Sequence, residues 1–111
     1  MPLKEFAQKN NIKILNFPEL DEIDEQTAFK TVKDNFERIS KIAPEFEMTV
    51  QAKEFGQEQK KGARRQHEVH WRVITPKKRN VATSTEWNFI SALQESGKEL
   101  LREILKASEK K

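Results

Sequence analysis

Lysine and arginine are the residues of this chain whose placement could do chemistry. Lys60, Lys61, Arg64 and Arg65 crowd one polar stretch, and Lys77, Lys78 and Arg79 are consecutive. Two further sets recur at helical spacing: Lys30, Lys33 and Lys41, then Lys98, Arg102 and Lys106 at every fourth position. Guanidinium and ammonium groups on loops and helices hold phosphate oxygens without reading bases. Each neutralised phosphate releases counterions, so such binding weakens steeply with salt. The charge is also segregated. Residues 1–59 carry 8 basic against 12 acidic side chains, a net of −4, whereas residues 60–111 carry 13 against 6, a net of +7. A basic half joined to an acidic half points to one face that meets a polyanion. The competing reading of any single lysine is solvation, since a helical pair with Glu99 or Glu103 adds only about 0.2–0.5 kcal/mol.

Enzyme chemistry finds little support. His67-Glu68-Val69-His70 looks like half a metal motif, but it falls in a strand pattern, where residues three apart point to opposite faces and cannot share an ion. Glycine occurs only at 56, 62 and 97, which leaves no phosphate-cradling glycine loop. There is no cysteine, so disulfides, thiolate metal sites and thiol nucleophiles are excluded. Thr83, Ser84 and Thr85 have no histidine placed by a nucleophile motif. The expectation is a non-enzyme with no metal, no cofactor and no small-molecule substrate.

The elements that must position these cations follow from periodicity. Ile12–Phe17 is β-rich and closes at Pro18, which cannot donate to a sheet ladder. After the acidic connector Glu19–Ile23, Asp24 is a candidate N-cap with Glu25 in the first turn, and Ile23 with Ala28 is spaced as a hydrophobic staple. The first helix then runs to about Ile42, before Pro44. Its apolar side is Phe29, Val32, Phe36, Ile39 and Ala43; Lys30, Lys33 and Lys41 lie opposite. Phe46, Met48, Val50 and Ala52 alternate in a strand over about Glu45–Phe55. Gly56–Arg65 reads as a polar loop, Gln66–Thr75 as a strand with Val69, Trp71 and Val73 on one face, Pro76–Asn80 as a basic turn, and Val81–Thr85 as a fourth strand. A long helix from about Asn88 to Ala107 carries Phe89, Ile90, Leu93, Leu100, Leu101, Ile104 and Leu105 on one stripe. Gly97 sits inside that stripe at a cost of about 1 kcal/mol against Ala, which predicts a close approach of helix to sheet.

The order β-α-β-β-β-α makes an α+β two-layer sandwich: a four-stranded mixed sheet with two helices on one face. Strands one and two should be parallel and the others antiparallel. One domain is expected over residues 12–107, with Met1–Asn11 either a frayed, flexible lead or a short helix, and 108–111 a tail. No long apolar run or apolar leader is present, so the expectation is a cytoplasmic protein with no membrane partner. Trp71 is expected in the core and Trp87, just before the last helix, partly exposed. No strand alternates aromatic and basic residues, which argues against an RNA-recognition motif.

The element order and the last forty residues resemble the hibernation-promoting factor and ribosome-associated inhibitor A family. The likeness rests on Asn88-Phe89-Ile90-Ser91-Ala92-Leu93 and Lys98-Glu99-Leu100-Leu101-Arg102-Glu103-Ile104, after a strand, a short turn and a fourth strand. Asn88 stands where the family commonly has an acidic residue. The lead of about ten residues and the long connector Glu19–Asp24 depart from the pattern. The resemblance implies a factor bound to the small ribosomal subunit where messenger and transfer RNA would pass, holding translation in an idle, hibernating state. It also implies ribosomal RNA contacts from the helix cations Lys30, Lys33, Lys41, Lys98, Arg102 and Lys106. Charge alone adds Lys60, Lys61, Arg64, Arg65, Lys77, Lys78 and Arg79. A short form without the ribosome-dimerising domain of longer members is expected, monomeric off the ribosome.

Two other readings stay open. One is a double-stranded RNA-binding domain of related α-β-β-β-α topology, although Glu86-Trp87-Asn88 stands where such domains place a basic cluster. The other is a protein-interaction module that docks partners on the open sheet face or an edge strand.

Overall fold

Alternation in Val69, Trp71 and Val73 puts three apolar side chains on one face of a strand, and that face is the centre of the core. The computed structural model describes residues 2–55 and 66–109. Its elements run α1 (Pro2–Lys9), β1 (Ile12–Leu15), α2 (Glu22–Ile42), β2 (Glu47–Phe55), β3 (Gln66–Ile74), β4 (Arg79–Glu86) and α3 (Phe89–Glu109). The strands form one sheet in the order β1-β2-β3-β4. β1 runs parallel to β2; β2 with β3 and β3 with β4 are antiparallel, as expected. The register lines up Ile14, Val50, Trp71 and Ala82 across all four strands, and Ile12, Met48, Val73 and Asn80 in the next row. Most of these side chains are buried beneath the helices, so the sheet has one covered face and one open face.

α3 is the helix whose backbone lies nearest the strands. Its contact side is built from small residues, Ala92, Ser96 and Gly97, all without exposure or nearly so. A Cβ on Gly97 would meet the Trp71 ring at 3.2 Å and the Asn35 amide nitrogen at 2.6 Å. The glycine therefore marks the point where α2, α3 and β3 converge. Trp71 is fully buried and its indole N–H donates to the Leu93 carbonyl at 3.2 Å. α2 stands further from the strands, and phenylalanines fill the gap beside it: Phe36 packs against Phe46 at 5.2 Å between ring centroids.

Three sequence expectations change, and one left open is decided. Among the described residues the helices number three, because the lead takes its short-helix alternative and forms α1. Leu3 and Ala7 are buried, and Phe6 meets Phe29 and Phe36 edge-on, at 5.6 Å each. Asn11, with φ of 56°, ends the segment in the left-handed region that asparagine tolerates. The cap of α2 is Asp21, not Asp24: Asp21 Oδ1 accepts the Asp24 N–H at 2.8 Å, so the helix starts a turn earlier. Ile23 is consequently 75% exposed and closes no staple with Ala28. Finally, β4 begins at Arg79, so the basic turn is Thr75–Lys78 and Arg79 belongs to the sheet.

Asp21 gives a direct test of the revised helix start. Asp21→Ala is expected to lower the unfolding free energy by about 1 kcal/mol, measured by urea denaturation, while Asp24→Ala should cost clearly less.

Candidate nucleic-acid interface

The turn between β3 and β4 holds its cations on a rigid support. Thr75 N–H donates to the Lys78 carbonyl at 2.8 Å. The Thr75 hydroxyl accepts the Lys78 N–H at 3.0 Å and donates to the Lys78 carbonyl at 3.1 Å. Pro76 fixes one backbone angle between them. The turn is thus closed by backbone groups and one hydroxyl, which leaves Lys77 and Lys78 exposed to act on a ligand.

This turn lies beside the ends of both long helices. A groove of about 480 Å³ is lined by Ile39, Ile42 and Pro44 of the α2 end, by Val73, Lys77 and Lys78, and by Ile104 of α3. Lys41 is in the last turn of α2 and Lys106 in the last turn of α3. Helix C-termini carry partial negative charge that favours cations there. Lys77 and Lys78 thus line the groove together with Glu45, while Lys41 and Lys106 lie in the last turns of the two helices and Arg79 begins β4 on the opposite, open face of the sheet.

The other expected cations do not join them. Lys30 and Lys33 are exposed in the middle of α2, and Lys33 Nζ rests 5.8 Å from the centroid of the Phe29 ring. Lys98 pairs with Glu95 at 3.7 Å and Arg102 pairs with Glu99. Basic and acidic residues number two and one on α1, four and five on α2, and three and four on α3. The helix surfaces are therefore close to neutral, and a polyanion meets little net field there. Lys60, Lys61, Arg64 and Arg65 lie outside the described residues. Their flanking strand ends, Phe55 and Gln66, are at the opposite end of β3 from the Thr75–Lys78 turn, about 27 Å away for a nine-residue strand.

The structure adds three cations that periodicity did not single out. Lys13, Lys53 and Arg72 are exposed on the open face of the sheet, on β1, β2 and β3. They stand alone in the sequence and come together only through strand register. The two histidines part as the strand pattern predicts. His67 meets the Phe89 ring at 6.1 Å on the covered side, whereas His70 on the open side contacts Thr83 Oγ1 at 3.0 Å and Glu68 at 2.5 Å. Trp87 is 55% exposed, as expected. Among the described residues, no three His, Asp or Glu side chains are grouped to hold a metal ion, and no helix is long and apolar enough to cross a membrane.

No protein-family model and no curated protein matches the sequence. The comparison that does match is structural. The chain is similar to the crystal structure of the Protein Y N-terminal domain from Thermus thermophilus, with a TM-score of 0.54 over 86% of this chain and 94% of that one. The two share a fold. At 8% identity the likeness extends to architecture alone.

Proposed function

We propose that this chain is a ribosome-associated, RNA-binding factor that occupies the messenger RNA channel of the small subunit and holds translation idle. The observation that carries this reading is the rigid β3–β4 turn, which presents Lys77 and Lys78 at a groove beside the α2 end and is followed directly by exposed Arg79. Lys41 and Lys106 of the helix ends are assigned to the same pole of the molecule as part of the proposal. A compact set of exposed cations on a rigid turn suits phosphate oxygens, which reward position rather than sequence readout. The Protein Y-like fold supports the reading at the level of architecture. The resemblance of residues 88–104 to the hibernation-promoting factor family supplies the ribosome as partner. The near-neutral helix surfaces move the expected RNA contacts away from Lys98 and Arg102 and toward the pole.

Sedimentation with purified ribosomes tests it. The protein is expected to co-pellet at 50 mM salt, to be released progressively toward 200 mM, and to suppress translation in a reconstituted reaction at low salt. Failure to co-pellet at 50 mM overturns the proposal. Retention on bare duplex RNA with no preference for ribosomes would instead support the double-stranded RNA-binding alternative.

A further inference from the structure

The open face of the sheet is the most cationic broad surface among the described residues. Lys13, Lys53, Arg72 and Arg79 point from it, against Glu47 and Glu68, and Glu68 is already engaged by His70. Among the described residues, none of the four cations is ion-paired. Three of them cluster by register. Arg79 stands opposite Ile74, which places it diagonal to Arg72, about 7–8 Å away. Lys13 stands opposite Thr49 and Thr49 opposite Arg72, which separates the two cations by two strand spacings, about 10 Å. Between and beside them are the neutral hydrogen-bonding groups Thr49, Gln51 and Thr83 and the exposed apolar Val81 opposite Arg72, with a shallow depression of about 240 Å³ lined in part by Thr49, Gln51, Arg72 and Val81.

We propose that this open face is a second contact surface for an RNA phosphate backbone, centred on Lys13, Arg72 and Arg79 and attenuated by Glu47. The proposal deepens the ribosome-binding reading and rests on it for the identity of the RNA. Charge complementarity selects the occupant: the face is net positive while the helix layer behind it is close to neutral. Its composition selects which part of the RNA is held. Around Lys13, Arg72 and Arg79 the aromatic ring on this face is His70, tied to Thr83 and Glu68, so the cluster itself offers no free platform for stacking bases; Phe55 stands at the far end of β2. Hydroxyls, an amide and unpaired cations suit phosphate and ribose oxygens instead. Arg79 begins β4 directly after the turn, so the face is continuous with Lys77 and Lys78. Glu47, opposite Ile74 and diagonal to Arg72, is the one unengaged carboxylate in the cluster.

That carboxylate supplies a gain-of-function arm. Lys13→Gln with Arg72→Gln, Glu47→Lys, and a control Lys98→Gln with Arg102→Gln would be compared for binding to purified ribosomes and to a single-stranded RNA oligomer across a salt series. Circular dichroism and thermal melting would establish that each variant is folded. The sheet double variant is expected to flatten the log–log salt slope by about 1.4–1.8, and Glu47→Lys to steepen it by about 0.7–0.9, while the control changes it least. Wild-type slopes from both sheet variants, with the wild-type chain co-pelleting normally, would overturn the inference and leave the ribosome reading intact. Binding of the oligomer that depends on these residues, without co-pelleting of ribosomes, would sustain the inference and overturn the ribosome reading.

Discussion

Trp71→Ala is expected to lower the unfolding free energy by about 3–5 kcal/mol, the range for removing a large aromatic side chain from a packed core. Trp71 is fully buried and lies at the middle of the row Ile14, Val50, Trp71, Ala82. It touches α3 at Gly97, where the helix backbone comes close to the sheet. Collapse into the vacancy would have to move α3 as a body, so the cavity term should stay large. A domain of this size has a total stability of about 5–15 kcal/mol, so the loss is about a fifth of it or more. Trp71→Phe separates the two contributions. It keeps most of the apolar volume and loses the indole N–H donor to Leu93. The Leu93 carbonyl would not be orphaned, because the Ser96 hydroxyl lies 3.2 Å from it. The phenylalanine variant should therefore cost about 1–2 kcal/mol. Urea denaturation of both variants checks this, and equal losses would mean that the hydrogen bond rather than the volume dominates.

The reasons for that concentration of stability were visible in the sequence only in part. Val69, Trp71 and Val73 alternate with polar residues, and Met48, Val50 and Ala52 do the same, so the sheet and its covered face follow from period two. Gly97 within an apolar stripe signalled the close approach because nothing else justifies its cost in a helix. Asn35 was hidden by its residue type: it is 6% exposed beside Gly97, a polar side chain on the buried stripe that Ala28, Val32 and Ile39 define. α1 could be read only as one of two alternatives, for a different reason. An eight-residue helix buries only Leu3 and Ala7 fully, too few for a period to be read, and its packing comes from Phe6 against two rings of α2. The α2 cap was misplaced because Asp21 and Asp24 are both competent caps in one acidic run. The choice is made by where the chain turns after Leu20, a tertiary matter.

For the interface, residue types were legible and convergence was not. Lysines at helical spacing look alike whether or not a glutamate shares the row, but Glu95 and Glu99 sit one turn before Lys98 and Arg102 and take up their charge. Conversely, Lys13 and Arg72 are isolated in the sequence and neighbours in the sheet, because the parallel β1–β2 pairing and the antiparallel β2–β3 pairing both pass through Thr49. Strand register is the step that sequence periodicity leaves undetermined. The basic turn was legible because its residues are consecutive, and it remains the firmest part of the site.

Reversal of that turn should therefore have the largest effect on binding. Lys77→Glu, Lys78→Glu and Arg79→Glu together remove three exposed cations and place three carboxylates in the path of a phosphate backbone. Each neutralised phosphate contributes a salt-dependence of about 0.9 in the log–log slope, which is about 0.9 decade of affinity at 0.1 M salt. Loss of three contacts thus predicts about 2–3 decades, before the repulsion of the new charges is added. The fold should survive, because the turn is closed by Thr75 through the Lys78 backbone and not by the substituted side chains. Lys98→Glu with Arg102→Glu makes the informative comparison: it changes the formal charge by four units on a surface where those cations are already offset by Glu95 and Glu99. If contacts at the pole govern binding, the turn variant should fail to pellet with ribosomes at 50 mM salt while the helix variant still does. Equal losses from the two variants would mean that net charge, rather than the placement of cations around the β3–β4 turn, sets the affinity.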